Sequence, residues 1–315
     1  MRQPSADTPR RVQATVIHTE RTSDPGPTRV ETRSPASDRS TSTIEDTVTT
    51  PAGSRRYRLE VPSATATGLI VMLHGCTQDA DDFSTGTRMH TLAAGHGMLV
   101  AYPEQTNDAN PSRCWNWFRA QDQLRGRGEP SIIAELVRTV VADHAIDPDR
   151  IFVAGMSAGG AMALVLAAVY PDLFAAVGAH SGLPYRSAHD LSSALQAMKG
   201  GGTPSRAARP VPTIVFHGDA DRTVHPRNAE HAVAHATAHT SRPLVSVHER
   251  TDGGRVSTRR VHHAPDGRVL AEAWTVHGLG HAWSGGDPGG SHTDPKGPHA
   301  SAEMLRFFAD QPGRN

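Results

Sequence analysis

Apolar residues recur along the chain in alternating strand-like and helix-like patterns. Segment 68–74 (GLIVMLH) is a continuous apolar run, typical of a strand that is covered on both faces. Comparable runs predict further strands over 98–102, 150–155, 174–180, 211–217 and 271–277. Helical patterns follow over 85–95, 132–145, 158–170, 191–198, 226–239 and 298–309. This repeated alternation predicts one doubly wound, mostly parallel sheet with helices on both faces.

Two long connections break this alternation. Segments 103–130 and 183–210 are rich in Pro, Gly and polar residues, and both leave the C-terminal ends of predicted strands. Long connections in compact domains are usually functional, and open α/β sheets carry their sites at the C-terminal ends of strands. We therefore expect the functional site at this edge of the sheet.

The first part of the chain has a different composition. Residues 1–46 are rich in Ser, Thr, Pro, Arg and Asp and contain no aromatic residue, which predicts a disordered tail before a catalytic domain over 47–315. This start also lacks the apolar stretch of a secretory signal.

Charge and hydropathy exclude several classes of partner. The 315-residue chain has 32 basic and 32 acidic residues and a formal net charge of zero, which gives no electrostatic reason to expect nucleic acid as a partner. The chain has no apolar run long enough to predict a membrane span.

The segment GMSAG (155–159) lies between a predicted strand and a predicted helix. A Gly-x-Ser-x-Gly nucleophile elbow requires this context, because the serine must lie on a tight turn with small flanking residues. The positive end of the following helix then points at the site. The pattern predicts Ser157 as a nucleophile; the alternative is a glycine-rich turn that only packs a helix on the sheet.

A serine hydroxyl needs a histidine to accept its proton and a carboxylate to orient that histidine. Enzymes with this elbow carry these residues in the chain order Ser, Asp or Glu, His. The loop after the strand at 211–217 contains Asp219 and Asp221. We prefer Asp221 because it is nearer the loop apex, whereas Asp219 is expected to shape the turn.

The chain contains 19 histidines, so the base is chosen by its place in the chain. His281 lies on the glycine-flanked loop after the last predicted strand, where the base should follow the acid. His217 and His277, at strand ends, are expected to be structural. Three histidines, His231, His235 and His239, share one predicted helix face; this spacing suits a metal, but a solvated polar face is the preferred interpretation.

Acyl transfer also needs two N–H donors for the tetrahedral oxyanion. One is the backbone N–H of Ala158, directly after the nucleophile. We assign the other to the backbone N–H of Cys76, in the loop after the strand at 68–74. This mechanism requires neither a metal nor an organic cofactor.

Several longer motifs together resemble the esterases of the polyhydroxybutyrate (PHB) depolymerase family. They are LHGCTQ (73–78), YPEQ (102–105), RCWNWF (113–118), GMSAGGAM (155–162), HSGLPY (180–185), GHAWSGG (280–286) and TDPKG (293–297). The resemblance implies an α/β-hydrolase esterase with the triad Ser157, Asp221 and His281, and a disulfide between Cys76 and Cys114. It also implies an extracellular protein, whereas the absence of a visible signal peptide favours the cytoplasm.

Three tryptophans, Trp115, Trp117 and Trp283, are expected near this site. They either form an apolar wall for the acyl group or anchor the loops that carry them. We expect a carboxylic ester hydrolase acting on 3-hydroxyalkanoate oligomers, polyester or similar esters. A feruloyl or acetylxylan esterase is the alternative within the class, and a catalytically inactive binding scaffold is the alternative outside it.

Overall fold

The predicted apolar runs form the centre of one large sheet. The computed structural model describes residues 16–17, 41–203, 209–241 and 243–311. The strands are β1 (Val16–Ile17), β2 (Thr41–Thr50), β3 (Gly53–Pro62), β4 (Gly68–Leu73), β5 (Met98–Pro103), β6 (Ile151–Met156), β7 (Ala176–His180), β8 (Thr213–Gly218), β9 (Leu244–Asp252), β10 (Arg255–His263), β11 (Val269–Val276), β12 (Trp283–Ser284) and β13 (Thr293–Asp294). The order in the sheet is β1-β9-β10-β11-β8-β7-β6-β4-β5-β3-β2, and β12 and β13 form a separate pair.

The six central strands, from β5 to β11, are parallel, as predicted. Their side chains alternate between two apolar layers: Leu69 and Val71 of β4 face one layer, and Ile70 and Met72 face the other. Because both faces are covered, β4, β5, β6, β7 and β8 are buried along their whole length.

Helices cover both faces of this sheet. Residues of α3, α4, α5 and α6 pack in one apolar layer, and residues of α1, α2 and α7 pack in the other. The helices are α1 (Ala80–Thr87), α2 (Met89–Ala94), α3 (Gly128–His144), α4 (Ala158–Val169), α5 (Leu191–Gly200), α6 (Arg227–Ala236) and α7 (Ala300–Ala309), with 3-10 turns at Ala120–Gln123 and Pro148–Arg150. None of the helices in the described ranges is long and apolar enough to cross a membrane.

Two antiparallel hairpins extend the sheet at its edges, and the sequence pattern did not predict them. The hairpins are β2–β3 and β9–β10. Most residues of β2 and many of β9 are exposed, so these strands lack the apolar run that marks a buried strand. Edge strands are stabilised by pairing with a neighbour, a contact that local hydropathy does not reveal.

The folded part begins earlier than predicted. Strand β2 starts at Thr41 and pairs with β3 along its whole length, which corrects the boundary at residue 47. Within the segment 1–46, residues Val16–Ile17 also form a short strand that pairs in parallel with β9. The rest of the predicted tail, residues 1–15 and 18–40, lies outside the described residues.

Two helix boundaries also differ from the prediction. Helix α3 begins at Gly128, four residues before the predicted start at residue 132. Ser131 therefore lies inside the helix, with Oγ donating to the Gly128 carbonyl at 2.7 Å. Proline is compatible with a first helical turn, and Pro130 is therefore accommodated there. The helix predicted over 85–95 is divided into α1 and α2 by Arg88, whose φ is 50°.

Candidate active site

Ser157 lies on the sharp turn between β6 and α4. Its φ of 55° and ψ of −120° are unusual for a residue with a side chain. A Cβ at Gly155 would come within 2.6 Å of the Leu73 carbonyl oxygen, and one at Gly159 within 2.0 Å of the same atom. Both glycines are therefore required by the close approach of this turn to β4, and the turn leaves Ser157 partly exposed.

Asp221 and His281 are hydrogen-bonded at the same edge of the sheet. His281 Nδ1 lies 2.8 Å from Asp221 Oδ2, which assigns the proton to Nδ1 and leaves Nε2 as the free base. The other carboxylate oxygen accepts the N–H groups of Thr223 and Val224, each at 2.9 Å. Burial opposes ionisation of Asp221, but hydrogen bonds from His217 and His281 hold its pKa far below its usual range.

The competing aspartate, Asp219, forms a different pair. Its Oδ2 lies 2.8 Å from Nδ1 of His277, and its Oδ1 accepts the Gly278 N–H at 2.6 Å. The other ring nitrogen of His277, Nε2, lies 2.9 Å from the hydroxyl of Thr258. Asp219 thus ties the loop after β8 to the loop after β11, and Asp221 is the aspartate that contacts His281.

Two buried histidines support these loops. His217 Nε2 lies 2.8 Å from the Val224 carbonyl oxygen and 3.4 Å from Asp221 Oδ2, so one imidazole contacts both the acid and its loop. His180 accepts the Ser157 N–H through its own carbonyl oxygen at 2.9 Å. Burial, followed by the nearby His217 and His281, lowers the pKa of His180 to about 3, so it is neutral. Position at a strand end indicated a structural role for His217 but did not reveal its contact with Asp221.

The predicted oxyanion loop is held rigidly after β4. His74 Nε2 accepts the Gln105 N–H at 3.1 Å, and Nδ1 therefore donates to the Gly75 carbonyl oxygen at 2.7 Å. Burial lowers the pKa of His74 to about 4, which keeps this ring neutral. Cys76 forms a disulfide with Cys114, the pairing that the resemblance implied.

Among the described residues, neither predicted oxyanion donor has an intramolecular acceptor. Within the described ranges, no hydrogen-bond acceptor contacts the backbone N–H of Cys76. Ala158 is the first residue of α4, and the N–H of a first helical residue has no partner inside the helix. A Cβ at Gly75 would lie 3.6 Å from Ser157 Cβ, which places the loop beside the serine.

The tryptophans of these loops are buried. Trp115, Trp117 and Trp283 are 0%, 5% and 1% exposed, which leaves almost no surface for a substrate. Trp115 packs against the His74 ring, and Trp283 stacks on His180 and donates from Nε1 to Ser301 Oγ at 3.1 Å. This burial corrects the expectation of an apolar wall and favours the alternative, in which the indoles anchor the loops.

The histidines of α6 face different surroundings. His231 Nδ1 contacts the Gly202 carbonyl oxygen, and His235 is partly buried against Tyr185. Burial lowers the pKa of His235. In the part of the chain that the structure describes, no group of three or more potential ligands is arranged to hold a metal ion. The face is therefore partly packed, which corrects the preferred interpretation of a solvated polar face. Helix α6 ends at Ala236, so His239 lies beyond it.

Comparisons with known proteins identify the family of this chain. The family described as Esterase PHB depolymerase matches residues 56–239, more than half of the chain. The chain belongs to the PHB depolymerase esterase family. A poly(3-hydroxyalkanoate) depolymerase C of Paucimonas lemoignei is 35% identical over 227 residues, which cover 68% of this chain and 54% of that protein.

Other similar proteins are named as esterases of a different substrate. A probable acetylxylan esterase A of Aspergillus fumigatus is 30% identical over 201 residues, which cover 56% of this chain and 53% of that protein. The chain thus spans about half the length of these curated relatives. The solved acetyl xylan esterase of Aspergillus awamori superposes with a TM-score of 0.65 at 20% identity, covering 85% of this chain and 99% of that chain, and shows the α/β-hydrolase fold.

Proposed function

We propose that this chain is a serine esterase that hydrolyses carboxylic esters through an acyl-enzyme, with Ser157 as nucleophile, His281 as base and Asp221 as acid. The observation that carries the proposal is the 2.8 Å Asp221–His281 hydrogen bond. It lies at the sheet edge where the strained Ser157 turn also lies, because β6, β8 and β11 run parallel. Membership of the esterase family supports the reaction class.

The reaction follows from these positions in two steps. Ser157 Oγ attacks the ester carbonyl while Nε2 of His281 accepts its proton, and the imidazolium is stabilised by the ionised Asp221. The N–H groups of Cys76 and Ala158 donate to the oxyanion. His281 then protonates the leaving alcohol, and a water molecule that it activates hydrolyses the acyl-enzyme. No step requires a metal or an organic cofactor.

We propose 3-hydroxyalkanoate esters, as oligomers or polyester, as the first substrate class. The family and the depolymerase of Paucimonas lemoignei support it. The similarity to a probable acetylxylan esterase supports acetyl esters of xylan as the second candidate. The resemblance to this family also supports an extracellular location, which is part of the same proposal.

The test is a substrate profile of the wild type and Ser157→Ala. The substrates are p-nitrophenyl acetate, butyrate and octanoate, 3-hydroxybutyrate oligomers, acetylated xylan and methyl ferulate. Removing the nucleophile should lower kcat by about 10⁵-fold or more. Ser192→Ala, a substitution at an exposed position of α5, is the matched control and should keep full activity.

The profile distinguishes the alternatives. Preference for hydroxybutyrate oligomers supports the depolymerase-like substrate class, and preference for acetylated xylan or methyl ferulate supports the plant-wall esters. Full activity of Ser157→Ala would contradict the assigned nucleophile. A wild type that hydrolyses none of these esters would leave the binding scaffold as the better interpretation.

A further inference from the structure

The buried carboxylate of Glu129 is linked to the oxyanion loop at Cys76 by two routes, one through Gln105 and one through Asn116 and the Cys76–Cys114 disulfide. We propose that Glu129 is a positioning residue that holds the Cys76 N–H in place for the oxyanion. The inference rests on the proposed esterase function and assigns to Glu129 the stabilisation of one oxyanion donor.

Glu129 lies in the first turn of α3, and only 4% of it is exposed. Its carboxylate accepts from Gln105 Nε2 at 2.5 Å, from Asn116 Nδ2 at 2.6 Å and from the Asn116 backbone N–H at 2.7 Å. Arg55 Nη2 adds an ion pair at 3.2 Å. Four donors on one buried carboxylate leave it little freedom to rotate, so the groups that bind it are fixed as well.

The first support runs through Gln105. The backbone N–H of this residue donates to His74 Nε2 at 3.1 Å, and His74 in turn donates to the Gly75 carbonyl oxygen at 2.7 Å. The Gly75–Cys76 peptide is trans, so its carbonyl and its N–H point in opposite directions. Fixing the Gly75 carbonyl oxygen therefore fixes the direction of the Cys76 N–H.

The second support is covalent. Glu129 holds the backbone and the side chain of Asn116, two residues after Cys114, and Cys114 is bonded to Cys76. Gln105 Nε2 also donates to the Cys114 carbonyl oxygen at 2.9 Å, which joins the two supports. Both routes therefore start at Glu129 and end at Cys76.

Burial of an ionised acidic residue at this position costs free energy of desolvation. Burial, followed by the charge of Asp122, raises the pKa of Glu129, and Arg55 opposes this shift. A buried ion pair is often no more stabilising than apolar residues of similar volume. The presence of an acid at this position is therefore better explained by the need to accept four donors at once than by a gain in stability.

The experiment compares Glu129→Gln with Glu135→Gln, a matched substitution at a half-exposed position of the same helix. The amide places an N–H₂ group against a donor and removes the partner of Arg55. We expect kcat on p-nitrophenyl butyrate to fall about 10- to 100-fold with KM within about twofold, because a displaced oxyanion donor affects mainly the transition state. Glu129→Asp, which keeps the charge, should recover part of the loss, and Glu135→Gln should match the wild type.

A second readout does not depend on activity. Amide hydrogen exchange in peptides covering residues 74–78 should be faster in Glu129→Gln than in Glu135→Gln, at a temperature where both are folded. If Glu129→Gln does not fold, Gln105→Met keeps the Arg55 ion pair and breaks one route, with an expected loss in kcat of about 3- to 10-fold.

The outcomes separate this inference from the proposed function. Unchanged exchange in residues 74–78, or a kcat equal to that of the wild type, would overturn the role of Glu129 while leaving the triad intact. A loss that appears in KM alone would also overturn it. If the wild type hydrolyses no ester, the proposed function fails, and the exchange measurement still decides whether Glu129 holds the loop.

Discussion

The loops after β8 and β11 form two Asp–His pairs of nearly identical geometry. Asp221–His281 and Asp219–His277 each join a carboxylate Oδ2 to an imidazole Nδ1 at 2.8 Å. Their surroundings differ. The side chains of the first pair are 0% and 14% exposed, and those of the second pair are 43% and 42% exposed.

This difference indicates that a hydrogen bond between an aspartate and a histidine is not sufficient to make a catalytic dyad. Asp221 also accepts two backbone N–H groups and contacts His217, so it is held in one orientation in a protected environment. His277 uses its second ring nitrogen on Thr258, and no base is left free. Asp219–His277 therefore joins the two loops, and Asp221–His281 is the pair that we propose accepts the proton of Ser157.

The largest effect that separates the pairs is expected from Asp221→Asn. This change removes the charge and favours the wrong tautomer of His281, so kcat should fall about 10³- to 10⁴-fold. Turnover of p-nitrophenyl butyrate by Asp221→Asn and Asp219→Asn measures it. A greater loss in Asp219→Asn would reverse the assignment of the acid.

An intermediate effect is expected from His217→Leu. The substitution removes the Nε2 donor beside Asp221, and a hydrogen bond to a charged group contributes about 1.5–3 kcal/mol. We expect kcat/KM to fall roughly 10- to 100-fold, with partial recovery in His217→Gln, which retains a donor. Thermal unfolding of both variants separates this loss from simple destabilisation; full activity of His217→Leu would show that Asp221 does not depend on it.

The smallest effect is expected from Asp219→Asn. Activity should stay within about threefold, and the free energy of unfolding should fall by about 0–1 kcal/mol, because the pair is exposed. Burial opposes ionisation of Asp219, but hydrogen bonds from His277 and Gly278 lower its pKa. Its stabilising contribution is therefore present above the unfolded pKa of about 3.9 and is lost as the pH falls below it.

Urea unfolding of the wild type and Asp219→Asn at pH 7 and near pH 3 measures this contribution. The difference between the two proteins should shrink at the lower pH and also in high salt. A difference that grows as the pH falls would contradict the assigned direction of the shift.

The central part of the fold followed from local patterns. Continuous apolar runs predicted the parallel strands, because a strand that is covered on both faces has no polar side. The edge hairpins could not be predicted in this way, since β2 and β9 are largely exposed and depend on pairing with a neighbour. For the same reason the start of the fold at Thr41 was missed.

The candidate site divides in a similar way. The glycines around Ser157 and the chain order of the triad can be read from the sequence, and they led to Ser157, to His281 and to a preference for Asp221 over Asp219. Glu129 had no comparable signal, because an acidic residue in a first helical turn is common for reasons of the helix dipole alone. The burial of Trp115 and Trp283 also depends on what packs against them.

The sequence by itself therefore determined the strand–turn–helix around the proposed nucleophile, Ser157, and the two loops that carry the proposed acid and base. Only the tertiary structure decided which aspartate meets His281, a contact between residues 60 positions apart. It also brought Glu129 to Gln105, Asn116 and Arg55. Local patterns report the burial and backbone geometry of neighbouring residues, whereas these contacts arise from the packing of separate elements.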